Sequence, residues 1–148
     1  MKKSIIAASI LFFLITLLAV SAYADLETFL SNLNIQAKAD LNSFSIRLAA
    51  QFGVPLPKVK SIIETVETSA DAFMCLQLSR MTKKQPEMVV QTYKNNKGKG
   101  WGVIAKELGI KPGSAEFHDI KSGNFTLSGE SGGSAKGEAK KKGKGHKK

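Results

Sequence analysis

Residues 48–63 read LAAQFGVPLPKVKSII, and this stretch decides the fold class. Ala49 is a small residue of the kind that lets two helices cross. Gly53, four positions on, suits the left-handed conformation that ends a helix, and Val54 supplies an apolar plug for the turn. Pro57 fits the first turn of a second helix, along which Val59, Ile62, Ile63 and Val66 make the inward stripe. The spacing predicts a tight helix–helix corner of helix-turn-helix type. A weaker echo follows in IAKELGIKPGSAEFHDI, residues 104–120. There Ile104, Ala105, Leu108, Gly109 and Ile110 repeat the spacing, and Pro112-Gly113 displaces the second helix.

Outward from this corner the apolar spacing stays helical, with no convincing alternation of the kind a strand needs. Leu26, Phe29, Leu30 and Leu33 form one stripe behind Asp25 as cap; Leu41, Phe44, Leu48 and Phe52 form another behind Asp40. SADAFMCLQLSRM predicts a helix capped by Ser69, QPEMVVQTYK one that opens at Pro86, and WGVIAKELG and SAEFHDIK two short ones. The connections are short, as packed antiparallel helices require. The expected fold is therefore all-α, a bundle of six or seven short helices.

The two ends differ from this middle. MKKSIIAASILFFLITLLAVSAYAD opens with Lys2 and Lys3, continues with an apolar run from Ile5 to Val20, and closes on Ala22-Tyr23-Ala24. That order is the signature of a cleaved export signal, and the run is short for a membrane span of ~20 residues. The expected division is a signal peptide at 1–24, a helical domain at 25–123 and a Lys/Gly-rich tail at 124–148. The tail has too few apolar side chains to offset the entropy of ordering, which predicts disorder. Export predicts the periplasm or the exterior of the cell as destination.

The formal net charge is +10. Without residues 1–24 it is +8, from 20 Lys and Arg against 12 Asp and Glu. Residues 129–148 alone hold seven lysines and two glutamates, so the basic balance belongs largely to the tail.

Between the helices, YKNNKGKGWGVIAKELG, residues 93–109, sets Lys94, Lys97 and Lys99 beside glycines and the single tryptophan, Trp101. Lysines and free N–H groups at a helix start favour anions, but the phosphate-binding P-loop pattern and its preceding strand are missing. The expectation is that Trp101 anchors the loop in the core and that the lysines remain available to a ligand. Lys140, Lys141, Lys142 and Lys144 join them as candidate anion-binding residues, and Ala49, Gly53, Val54, Trp101 and Gly109 are expected as structural anchors.

Other chemistry is thinly represented. The candidate recognition helix, LPKVKSIIETVE, carries Lys58 and Lys60 but lacks the Arg, Gln and Asn that read base edges, so sequence-specific nucleic-acid binding is not expected. Cys75 lies among Phe73, Met74, Leu76 and Leu78 and reads as a buried apolar residue. His118 and His146 are far apart, and no metal-ligand or catalytic carboxylate pattern is present. No catalytic residue, cofactor or metal is therefore expected. A small envelope enzyme using Cys75 or His118, and a helix-turn-helix nucleic-acid binder, are the alternatives to a binding protein.

YKNNKGKGWGVIAKELGIKPGSAEFH, residues 93–118, resembles the closing motif of a set of small exported bacterial proteins of unknown function, and FGVPLPKVKSIIE and ADAF extend the likeness. The resemblance implies export and a helical domain and assigns no site. Together these readings predict an exported, non-catalytic binding protein whose partners are anionic: a polymer, a lipid surface or an acidic protein.

Overall fold

The computed structural model describes residues 25–129. The expected signal peptide and tail lysines 140, 141, 142 and 144 lie outside the described residues.

Within 25–129 the chain is helical and without strands. Helix α1 covers residues 25–39. It is followed by α2 (Leu41–Phe52), α3 (Leu56–Thr65), α4 (Ser69–Thr82), α5 (Pro86–Asn95), α6 (Trp101–Glu107) and α7 (Ala115–Ser122). None of these helices is long and apolar enough to cross a membrane.

The caps explain most boundaries. The Asp40 carboxylate accepts the Ser43 N–H at 2.9 Å and starts α2. Ser114 does the same for α7 through the Phe117 N–H. Two expected caps move. Asp25 already lies inside α1. Thr68, not Ser69, caps α4, because Thr68 and Asp71 exchange bonds in a capping box that Ser69 has no partner to complete.

The corner at Ala49–Val54 forms as its spacing predicts. Gly53 is left-handed (φ 65°), and the Ala49 carbonyl accepts both the Gly53 and the Val54 N–H. The echo is structural too: Gly109 has φ 98°, and the Ile110 N–H reaches the Ala105 carbonyl at 2.9 Å, the same five-residue span as Val54 to Ala49. Ala49 and Val54 are half-buried against the core, and Ile110 is buried.

Helix α4 is the centre of the bundle. Ala72 through Leu78 are all buried, so this helix is enclosed on every side. Phe73 sits at the middle with its ring edge-on to Phe29 (5.2 Å) and Phe52 (5.5 Å). Leu41 departs from its expected stripe. It stands half exposed in the first turn of α2, and Ser45 takes the buried position, its hydroxyl satisfied by the Leu41 carbonyl at 2.7 Å.

After α7 the chain turns back over the bundle. Phe125 packs toward Phe29 and Phe73, and Leu127 is 1% exposed. Gln51 on α2 holds this return segment from both sides: its amide donates to the Thr126 carbonyl (2.9 Å) and its oxygen accepts the Ser128 N–H (2.7 Å). The packed chain thus runs past the expected boundary at 123 as far as Leu127.

Candidate functional site

The loop from Asn96 to Trp101 is organised by a residue the sequence reading passed over. Asn96 is 2% exposed. Its amide donates to the Thr92 carbonyl at 3.0 Å and to the Glu107 carboxylate, and its oxygen accepts from Lys99 Nζ at 3.1 Å. One buried side chain therefore ties the end of α5, the loop and the end of α6. A buried, unpaired amide would be costly, which is why these bonds hold the loop in one shape. Gly100 precedes α6 at φ 85° and ψ 156°, a region open to glycine and strained for other residues.

Trp101 is buried, as expected, and its indole stacks on the Tyr93 ring at 5.4 Å and 21°. The Tyr93 hydroxyl donates to Asp71 Oδ2 (3.1 Å) and accepts the Glu67 N–H (3.4 Å). Burial, with the negative charge of Asp71 adding to it, pushes the Tyr93 phenol above its ordinary range.

The loop, Trp101 and Glu27 separate two depressions. The larger, about 540 Å³, lies between α1, the start of α4, Tyr93 and the loop. Its polar lining includes the carboxylates Glu27, Glu67 and Asp71, with Asn34 and Lys38. Asn34 is engaged: its oxygen accepts the Ala70 N–H at 2.9 Å and helps cap α4. The smaller, about 280 Å³, runs between α1, α6 and α7. Leu26, Val103, Phe117 and Ile120 give it apolar walls, and Lys99, Lys106 and Lys121 stand around it.

The candidate lysines separate accordingly. Lys97 pairs with Glu67 at 2.9 Å, both side chains exposed, and so turns toward the carboxylate-lined cleft. Lys99 lines the apolar groove. Lys94 is exposed at the end of α5. Arg80, Lys83 and Lys84, neighbours in sequence, lie at the opposite end of the α4–α5 hairpin, where the Ser79 hydroxyl meets the Lys84 carbonyl. A ten-residue α5 puts about 15 Å between the two groups, so adjacency in sequence makes no single basic patch. Arg80 lies over the Phe52 ring at 5.0 Å.

The remaining candidates take plain positions. Cys75 is fully buried in α4, and burial first, then the charge of Asp71, push its thiol far up, leaving no thiolate for nucleophilic chemistry at neutral pH. His118 is exposed on α7. On α3, Lys58 pairs with Glu87, while Val59 and Ile62 face the core. Among the described residues no group of His, Cys, Asp and Glu could hold a metal ion. Comparison with protein-family profiles, curated proteins and solved structures finds no match for the chain.

Proposed function

We propose that this is an exported, non-catalytic binding protein of the cell envelope or extracellular space, engaging anionic partners through its lysine-bordered loop and its polybasic tail. The observation that carries the reading is the convergence of Lys99, Lys106 and Lys121, from three separate elements, around one groove in which Glu27 is the only carboxylate among the described residues. Seven lysines in residues 129–148 extend the positive charge beyond the domain. Charges of this kind raise the local concentration of polyanions and are screened beyond about 8 Å at physiological ionic strength. Export rests on the order of charge, apolar run and small-x-small site at the N-terminus, and on the resemblance of residues 93–118 to exported proteins.

Heparin chromatography and flotation with anionic vesicles test this reading. The expected result is retention that falls steeply with salt, and falls again for Lys99→Ala with Lys106→Ala and for a chain ending at Gly129. Retention that survives high salt, or that distinguishes one DNA sequence from its scramble, overturns it in favour of nucleic-acid recognition. Intact-mass measurement of the exported product, expected to begin at Asp25, tests the destination.

A further inference from the structure

We infer that the groove between α1, α6 and α7 takes the hydrocarbon end of an anionic amphiphile, with Lys99 and Lys106 holding its headgroup. This deepens the proposal above and rests on it for the sign of the ligand's charge.

Two observations meet here. The first is the layout of the lining, with Leu26, Val103, Phe117 and Ile120 forming apolar walls and lysines at the border. A free polyanion needs the lysines and has no use for the walls. An apolar ligand would use the walls and gain nothing from the lysines. A molecule with an alkyl chain and an anionic head uses both. At about 280 Å³ the groove is near the lower end of small-molecule sites (~300–1,000 Å³), which suits a short chain better than a whole lipid.

The second is Gly102. It lies inside α6, and it alone of the glycines in residues 25–129 lacks a positive φ. The backbone therefore does not require glycine at this position, the second residue of α6, and alanine is the stronger helix former. A Cβ there would meet only the Phe117 ring, at 3.6 Å, an ordinary contact. What the missing side chain does is leave the space over Phe117 open, on the wall of this groove.

The test is a homologous series of alkyl phosphates below their micelle concentrations, with inorganic phosphate as the chain-free member, titrated calorimetrically and by Trp101 fluorescence. Trp101 is the single tryptophan and lines the groove. Affinity should rise about fourfold per methylene, the equivalent of about 0.8 kcal/mol per buried CH₂, until the groove is filled. A terminally brominated chain should quench Trp101. Gly102→Leu should abolish the chain-length dependence. Lys99→Ala with Lys106→Ala should weaken every member of the series alike. Should Gly102→Leu fail to fold, Val103→Glu, at a half-buried position on the same wall, should repel the whole series. Heparin retention with no chain-length dependence overturns the groove assignment and leaves the broader proposal standing. Chain-length dependence without salt-sensitive heparin retention supports the groove and overturns the polyanion role. Equal affinity for phosphate and its alkyl esters, or an unaltered series with Gly102→Leu, also overturns the groove.

Discussion

The backbone of Leu26 lies so close over Gly123 that a methyl group on Gly123 would come within 2.8 Å of the Leu26 Cα. The start of α1 is thereby seated on the end of α7, joining the beginning of the described chain to its last helix. Gly123 is also left-handed, at φ 60°.

This contact separates two kinds of glycine. Gly53 has a comparable φ of 65°, but a Cβ there meets nothing within 4 Å. Gly53→Ala should cost only the left-handed penalty, about 1–2 kcal/mol. Gly123→Ala adds a clash with backbone that cannot swing aside, and overpacking of that kind costs about 1–3 kcal/mol more. Urea denaturation of the two variants should rank Gly123→Ala clearly below Gly53→Ala. Equal losses would mean that α1 shifts freely off α7.

The Tyr93 phenol gives a pH signature. Its pKa is raised in the folded chain, first by burial. Stability held by the protonated phenol is therefore complete below the ordinary value of about 10 and is lost as pH rises from there toward the folded value. In a chain beginning at Asp25, Tyr93 is the only tyrosine, since the other is Tyr23. Phenolate absorbance should appear at higher pH than in the urea-unfolded chain. Tyr93→Phe should remove the alkaline loss, keep the stacking on Trp101 and cost about 0.5–1.5 kcal/mol for the hydrogen bond.

Much of the fold was legible because helix signals act over three to five residues. Asp40, Gly53, Pro57 and Pro86 each mark a boundary through neighbours in sequence. The Thr68 cap was open to the same reasoning, since Asp71 stands at the capping-box distance; the adjacent serine drew attention from it. The candidate site was far less legible. Tyr93 meets Asp71 across 22 positions, Asn34 reaches Ala70 across 36, and Gln51 clasps Thr126 across 75. No local periodicity encodes such pairs. Nearness in sequence is no better a guide to the charges, since the α4–α5 hairpin carries Lys83 and Lys84 to the end opposite Lys97 and Lys99.

Trp101 and the loop lysines should part cleanly on mutation. Trp101 is buried and stacked, and truncating such a residue to alanine typically costs about 3–5 kcal/mol. The Lys97–Glu67 pair is exposed on both sides, and pairs of that kind are worth roughly 0.2–1 kcal/mol. Lys97→Ala should therefore melt close to wild type, and adding Lys99→Ala, which takes the lysine partner from the buried Asn96 oxygen, should cost about 1–3 kcal/mol more; both should weaken heparin retention, whereas Trp101→Ala should melt far lower. A Trp101→Ala variant that melts like wild type yet loses ligand would make the indole a binding platform.

Truncation distinguishes the return segment from the tail. Residues 130–148 contain only two apolar side chains, Ala135 and Ala139, so a chain ending at Gly129 should melt like the full chain. A chain ending at Gly123 loses Phe125, which faces Phe29 and Phe73 at 6.1 and 6.2 Å, and Leu127, which is almost fully buried. Emptying a leucine site alone costs about 2–5 kcal/mol, and a domain of this size loses about 4–8 °C per kcal/mol, so the midpoint should fall by roughly 10 °C or more. Gln51→Ala removes the two bonds that clasp the segment but leaves Leu127 in its site, so its loss should be smaller, about 0.5–1.5 kcal/mol for each bond. The expected order of midpoints is therefore the chain to 129, then Gln51→Ala, then the chain to 123. If the chain to 123 melts with the chain to 129, the neighbouring side chains close over the vacated Leu127 site and the segment contributes nothing to the core.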